Sequence, residues 1–196
     1  MLIGLTGKYC AGKNHVADIF EKRGFLILDI DKLGHIAAES KKTEIFTRFG
    51  EKVKMQDGTI DRRKLGKLVF GRKTEMAALE NIIHPQVNLL TNEWINKHNK
   101  EKCVLNAALL HKSDAFKQLD CIILVTAPFF TRLLRARKRD KLSFIEIIRR
   151  FWRQKRFSAK YSAENADIYI VKNRGIGMSK LDVQVDSILQ KLLGRI

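Results

Sequence analysis

Five short runs of aliphatic and β-branched residues recur along a chain of 196 residues, each parted from the next by a longer amphipathic stretch. The runs cover 2–6, 25–29, 103–107, 121–127 and 167–171. Each is almost continuous in hydrophobicity, the pattern of a parallel strand covered on both faces; a sheet with one wet face would alternate instead. Helical periodicity fills the gaps at 13–22, 32–49, 62–70, 74–98, 128–139, 143–157 and 179–193. Parallel neighbours need crossovers of one hand, so the alternation predicts an α/β three-layer sandwich around a five-stranded parallel sheet.

Two gaps are longer than one crossover helix requires. The gap between the second and third runs is expected to hold a helical insertion over about 57–100, and the fourth gap a helical lid over about 129–163. The core would then comprise 1–56, 101–128 and 164–196 of a single domain. A hydrophobic content of 45% supports a buried core and excludes a disordered or fibrous chain. No apolar run approaches the roughly 20 residues that cross a bilayer, and the first run is too short and lacks the basic flank of a signal peptide. Cys10, Cys103 and Cys121 are few, odd in number and far apart, which argues against a disulfide framework or zinc site and for a reducing, cytoplasmic location.

Charge narrows the partners. Lys and Arg number 38 against 21 acids, a net +17 that attracts polyanions, either nucleic acid or a phosphorylated small molecule. Residues 130–160 hold twelve Lys or Arg against Asp140 and Glu146. Such a run is ordinarily a solvated helical face, so it needs a local reason before it means more.

That reason lies at the first strand–helix junction. Gly7-Lys8-Tyr9-Cys10-Ala11-Gly12-Lys13-Asn14 follows the first run and precedes a helical pattern, which is G-x-x-x-x-G-K in the context the phosphate-binding loop requires. Glycines allow backbone N–H groups to turn around a phosphate, the helix aims its N-terminus there, and Lys13 adds a cation for the β- and γ-phosphates. The loop normally closes with Ser or Thr, whose hydroxyl ligates Mg2+; Asn14 stands there and reads either as a metal partner or as a plain helix-start residue. Cys10, beside Lys13 and a helix N-terminus, has surroundings that favour thiolate, yet reads best as a small loop-filling side chain. His15, His98 and His111 lack ligand spacing.

The second run ends Leu28-Asp29-Ile30-Asp31. If the strand continues through it, both carboxylates face one way, toward the crevice at the sheet's carboxyl edge where such folds bind ligands. A close pair suits proton acceptance from a hydroxyl. Asp31 read instead as a helix cap is the structural alternative.

Taken in order, these blocks resemble the dephospho-coenzyme A kinase family. The loop is followed by Asp29-Ile30-Asp31-Lys32-Leu33-Gly34-His35 (family D-A-D-x-I-A-R/H) and by Asp61-Arg62-Arg63-Lys64-Leu65 with Val69-Phe70. Then come Leu79-Glu80-Asn81-Ile82-Ile83-His84-Pro85-Gln86-Val87 (family L-E-x-I-x-H-P-x-V), Arg139-Asp140, Arg150 with Gln154, and Ala166-Asp167 with Ile170 and Asn173. The His84-Pro85 block is the most specific of these; without it His84 reads as a capping or core histidine.

The resemblance implies transfer of the ATP γ-phosphoryl, with Mg2+, to the ribose 3′-hydroxyl of dephospho-coenzyme A. Asp31 is then the expected base with Asp29 assisting, and Lys13 and Arg139 supply catalytic charge. Gly7, Cys10, Ala11, Gly12, Lys13, Asn14, His15, Arg139 and Arg150 are expected on the ATP, and Asp31, His35, Arg62 and His84 on the acceptor. No membrane or nucleic-acid partner is expected, and the chain is expected to be a monomer or weak homo-oligomer.

Two departures concern the metal. Asn14 replaces a hydroxyl, and Asn106 in Asn106-Ala107-Ala108-Leu109-Leu110-His111-Lys112 replaces the carboxylate of the family's D-V-P-L-L-F-E, whose final acid is here Lys112. Lys8 and Tyr9 are also bulkier than the family's loop residues. Two rival readings remain at this stage: another small-molecule or nucleoside monophosphate kinase, and a catalytically impaired nucleotide-dependent protein that binds RNA on its basic lid.

Overall fold

The computed structural model describes residues 1–140, 143–154, 167–175 and 178–194. The expected helix end at 155–157, the lid beyond 154 and Ala166 lie outside the described residues. Five strands form one parallel sheet: β1 (Leu2–Gly7), β2 (Leu26–Asp29), β3 (Cys103–Asn106), β4 (Cys121–Thr126) and β5 (Asp167–Lys172), in the order β2-β3-β1-β4-β5. Each agrees with an expected run to within a residue at either end. β1 is central, with Gly4 opposite Leu105 on one side and Ile122 on the other. The chain winds to one side after β1 and to the other after β3, so the carboxyl end of β1 lies at the point where the topology switches.

Alternation along the strands sends side chains to two layers. Ile3, Leu5, Val104, Cys121, Ile123 and Val125 pack with Val16, Ile19 and Phe20 of α1 (Lys13–Lys22) and Leu181, Val185 and Ile188 of α8 (Met178–Leu193). Arg23, just past α1, ties these two helices together through Asp182 (3.2 Å) and Asp186. On the other face Leu110 and Leu119 close over Gly4, where a Cβ would lie 2.6 Å from each of them. Leu110 opens and Leu119 follows the two 3-10 turns, Leu110–Lys112 and Asp114–Gln118, that fill the β3–β4 connection in place of an α-helix.

Packing divides the chain into two units, Met1–Leu28 with His98–Ile196, and Asp29–Lys97. The second is mostly helical: α2 (Ile30–Ser40), α3 (Lys42–Phe49), α4 (Arg62–Val69) and α5 (Lys73–Lys97), with a 3-10 turn at Glu51–Val53 and an isolated antiparallel bridge between Lys54 and Ile60 linking α3 to α4. Its core is Ile45, Phe49, Val53, Ile60, Leu65 and Val69. This unit begins at Asp29 rather than near 57, because Ile45 and Phe49 of α3 share a core with Leu65 and Val69 of α4. The single helix expected over 32–49 is two. The Ser40 hydroxyl donates to the Ala37 carbonyl (2.9 Å), and Lys41 leaves helical geometry at φ −101° and ψ 18°. A short polar side chain competing for backbone bonds is a recurrent cause of such breaks.

α6 (Phe129–Asp140) and α7 (Phe144–Arg153) return to the first unit. Ser143 starts α7 with a capping box, accepting from the Glu146 N–H while Glu146 accepts from the Ser143 N–H.

Truncating the sheet core tests this packing. Ile123→Ala removes a fully buried side chain between α1 and α8, and should lower the unfolding free energy by about 2–5 kcal/mol in urea titration, without changing the native circular dichroism.

Candidate active site

The loop between β1 and α1 is held by what surrounds it. Gly7 passes so close to β4 that a Cβ would lie 2.7 Å from the Val125 carbonyl oxygen. The Ala11 N–H donates back to the Lys8 carbonyl (2.9 Å), closing a tight turn in which Cys10 takes φ 59°. Gly12, at φ 93°, is the N-cap residue of α1; only glycine fits, because a Cβ there would run into the Asn173 amide nitrogen. The first turn of α1 carries no acidic residue, so the positive end of its dipole is uncompensated.

Asn173 is the brace behind the loop. It lies just beyond β5, 3% exposed, anchored by its own N–H to the Thr126 carbonyl (2.7 Å), and its Nδ2 donates to the Ala11 carbonyl (3.0 Å). Arg135 of α6 donates to the same carbonyl (3.2 Å) and to Asn173 Oδ1 (2.9 Å). Arg132 Nε takes the Tyr9 carbonyl (2.8 Å), its guanidinium 4.2 Å from the Phe151 ring centroid. Burial lowers the Arg132 pKa, the usual cost of a desolvated cation. Arg132 and Arg135 were not singled out from the sequence, where they are two of twelve basic residues.

Arg139 and Arg150, expected at the phosphates, both come to the loop through Tyr9. Their guanidinium carbons lie 5.2 and 5.3 Å from the Tyr9 ring centroid. Arg139 donates twice to Asp140 (2.6 and 3.1 Å), Arg150 lies 3.7 Å from the same carboxylate, and the Tyr9 hydroxyl donates to it. The Arg139 bond holds the Asp140 carboxyl below its usual range, while burial and then the Asp140 bond push the Tyr9 phenol up to about 12. The Asp140 contribution to stability is therefore full above the ordinary carboxylate range and lost as pH falls through its lowered value, and the Tyr9 contribution is full below the ordinary phenol range and lost as pH rises to about 12.

At Cys10 the loop-filling reading holds and the thiolate one does not. Its surroundings were expected to favour thiolate, but burial raises its pKa and outweighs the Arg139 charge. It packs with Ala136, Ile147 and Phe151 as a loop-filling side chain.

Lys13 opens α1, with Asn14 and His15 exposed on its first turn and His15 3.9 Å from Asp18. The two departures from the family pattern touch each other: Asn106 Nδ2 donates to Asn14 Oδ1 over a long 3.4 Å. Asn106 closes β3 at 2% exposure, and its Oδ1 has no hydrogen-bond partner among the described residues. That oxygen is a hard donor of the kind Mg2+ takes, and Asn14 Oδ1, which faces the nitrogen end of the same amide, is a second. Among the described residues no group of three or more His, Cys, Asp or Glu is gathered to hold a metal.

The remaining candidates belong to the helical unit. β2 stops at Asp29, so Asp31 sits in the first turn of α2 and the expected strand face shared by the two carboxylates does not exist. The cap is Asp29, whose carboxylate accepts from the Lys32 N–H (3.1 Å), not Asp31. Asp31 and His35 are both exposed, one helical turn apart on one face of α2. Arg62 is exposed at the start of α4, behind the Asp61 cap. His84 is half-buried in the middle of α5 and caps nothing; Pro85 follows it inside the helix, where it lacks the N–H that the Asn81 carbonyl would otherwise receive.

Comparison with known proteins bears on this arrangement. The family model for dephospho-CoA kinase matches residues 1–177. A dephospho-CoA kinase from Treponema pallidum is 33% identical over 200 residues, covering 97% of this chain and 94% of its own length. Another from Treponema denticola is 35% identical over 184 residues, covering 88% and 82%. Among solved structures, a Thermus thermophilus protein aligns with a TM-score of 0.81 at 30% identity, over 98% of this chain and 97% of its own. A Campylobacter jejuni dephospho-CoA kinase (TM-score 0.63, 24% identity, 97% and 96% covered) and a Bacteroides thetaiotaomicron shikimate kinase (0.54, 16%, 99% and 98%) share the fold.

The brace behind the loop can be removed by itself. Asn173→Ala leaves the buried Ala11 carbonyl with one donor fewer and Arg135 without its acceptor on Asn173. It should cost about 1–3 kcal/mol in thermal or urea denaturation and weaken ATP binding in a direct titration.

Proposed function

Since the chain belongs to the dephospho-CoA kinase family and is thus a kinase using ATP to convert dephospho-CoA to coenzyme A, we propose that the phosphoryl acceptor is the ribose 3′-hydroxyl and assign the roles as follows. The observation that carries the assignment is the loop of residues 7–13 braced by Asn173 and Arg135, with Arg139 and Arg150 gathered on its Tyr9 side chain. Phosphoryl transfer asks a protein mostly for positioning and charge. Gly7, Cys10, Ala11 and Gly12 shape the cradle, and α1 directs its N-terminus, with Asn14 and His15 on the first turn, toward the phosphates. Lys13 balances the β- and γ-phosphate charge. α6 and α7 act as the lid, from which Arg139 and Arg150 meet the charge that spreads over the transferring group.

The acceptor side is assigned to the helical unit. Asp31 takes the proton from the attacking hydroxyl, while Asp29, committed to capping α2, assists by fixing the helix turn that carries Asp31. His35, one turn on, and Arg62 and His84 hold the acceptor. Asn14 and Asn106 would hold Mg2+ together with the ATP phosphates, and the ion when bound supplies charge neutralisation there. Three unpaired, buried cysteines support a reducing, cytoplasmic setting, and no helix among the described residues is long and apolar enough to cross a membrane.

The deciding assay is ADP release measured with dephospho-CoA, AMP, cytidylate or no acceptor. Release with dephospho-CoA alone is expected; release with AMP or cytidylate instead would move the chain to the nucleoside monophosphate kinases, and none with any acceptor would favour an impaired nucleotide-dependent binder. Lys13→Ala should abolish transfer with the fold intact by circular dichroism. Asp31→Asn should lower kcat by about 10²–10⁴-fold with little change in ATP affinity; if Asp29→Asn is the more damaging change, the two roles are exchanged.

The asparagine pair makes a separate prediction. Asn14→Ser and Asn106→Asp should each lower the Mg2+ concentration giving half-maximal rate. The double variant should depart from additivity, because the two side chains touch. An unchanged Mg2+ titration in both single variants would show that the ion is held through phosphates and water alone.

A further inference from the structure

Tyr9 is the side chain of the phosphate loop that belongs structurally to the lid. Its ring stands edge-on to Phe151 (centroids 6.0 Å apart, planes at 72°) beside a cluster of Cys10, Leu133, Ala136 and Ile147. Its N–H donates to Gln154 Oε1 (2.7 Å) and its carbonyl accepts from Arg132 Nε (2.8 Å). Its hydroxyl donates to Asp140 and accepts from Arg150 (3.4 Å). One loop residue is thus joined by both main-chain groups and both ends of its side chain to α6 and α7. The two guanidinium groups proposed for the transferring phosphoryl are the ones that lie against its ring.

An arginine on a long side chain gains from being set before the reaction, since ordering it later reduces the benefit of its charge. Aromatic faces attract guanidinium groups, and a carboxylate shared by both sets their direction. Asp140 alone could pair with either arginine, but Tyr9 ties that carboxylate to the loop. Its phenol, with a pKa of about 12, remains a donor throughout the working range of a kinase.

We propose that Tyr9 is a positioning residue for phosphoryl transfer, its ring and hydroxyl holding Arg139 and Arg150 in register with the phosphate loop. The proposal rests on the roles given above to those two arginines. Tyr9→Phe keeps the ring and loses the Asp140 anchor, so kcat should fall about 10-fold; Tyr9→Leu loses both, and kcat should fall about 100-fold. The KM for dephospho-CoA should stay near that of the parent in both.

The discriminating measurement is a mutant cycle on kcat that combines Tyr9→Leu with Arg139→Ala and Arg150→Ala. Since Tyr9 acts through the arginines, its loss should cost far less once they are gone than in the parent. Additive effects, or a full rate in Tyr9→Leu, would overturn the proposal. A full rate in both arginine variants would overturn the arginine roles themselves, and that result is read before Tyr9 is touched. Melting temperatures of all variants identify any that fail to fold, and Tyr9→Phe, which deletes one oxygen, keeps the test decisive if Tyr9→Leu is among them.

Discussion

The hydrogen bond from Asn173 to the Ala11 carbonyl is the contact on which the phosphate loop depends. A loop that must present N–H groups to an anion has its carbonyls to dispose of elsewhere, and in a buried place each needs a donor. Asn173 supplies one from the end of β5, and Arg135 and Arg132 supply others from α6. The same Asn173 amide occupies the space beside Gly12 that any side chain would need. Loop shape, glycine requirement and the β5 terminus are therefore one constraint, enforced by residues more than 160 positions apart.

This changes the meaning of the basic stretch. As a stretch of positive charge it reads as a solvated face or a polyanion surface. In the fold, two of its arginines point inward as hydrogen-bond donors to loop carbonyls, and two more gather at Tyr9 and Asp140. Part of the excess charge is thus structural, holding a loop that itself binds charge. The pairing of Asn14 with Asn106 has the same character, since two separate departures from a family pattern form one contact at the carboxyl edge of β1 and β3.

Strands, the loop and most helices were legible in the sequence because they rest on local periodicity and on one junction motif. Each strand run was found to within a residue at either end. The Asp29-Ile30-Asp31 stretch misled for a local reason: a period-2 reading carries a strand through it, whereas Asp29 caps a helix with its own side chain and ends the strand there. The break after Ser40 was missed because it does not interrupt the apolar pattern, and the 3-10 turns before β4 because three to five residues are too short to show a period. Arg132 and Arg135 could not be distinguished from their neighbours by composition, and only their spacing on one face of α6 hinted at a shared target.

Sequence alone settled the fold class, the phosphate loop and the resemblance to a kinase family, since each depends on residues close together in the chain or on blocks in a fixed order. Tertiary structure decided which carboxylate caps α2, that burial rather than neighbouring cations governs Cys10, and which arginines turn inward. It also decided that Tyr9 joins the loop to α6 and to the end of α7. The physical reason is the same in each case: desolvation and hydrogen-bond pairing depend on partners brought together across the fold, and no local pattern records which groups will meet.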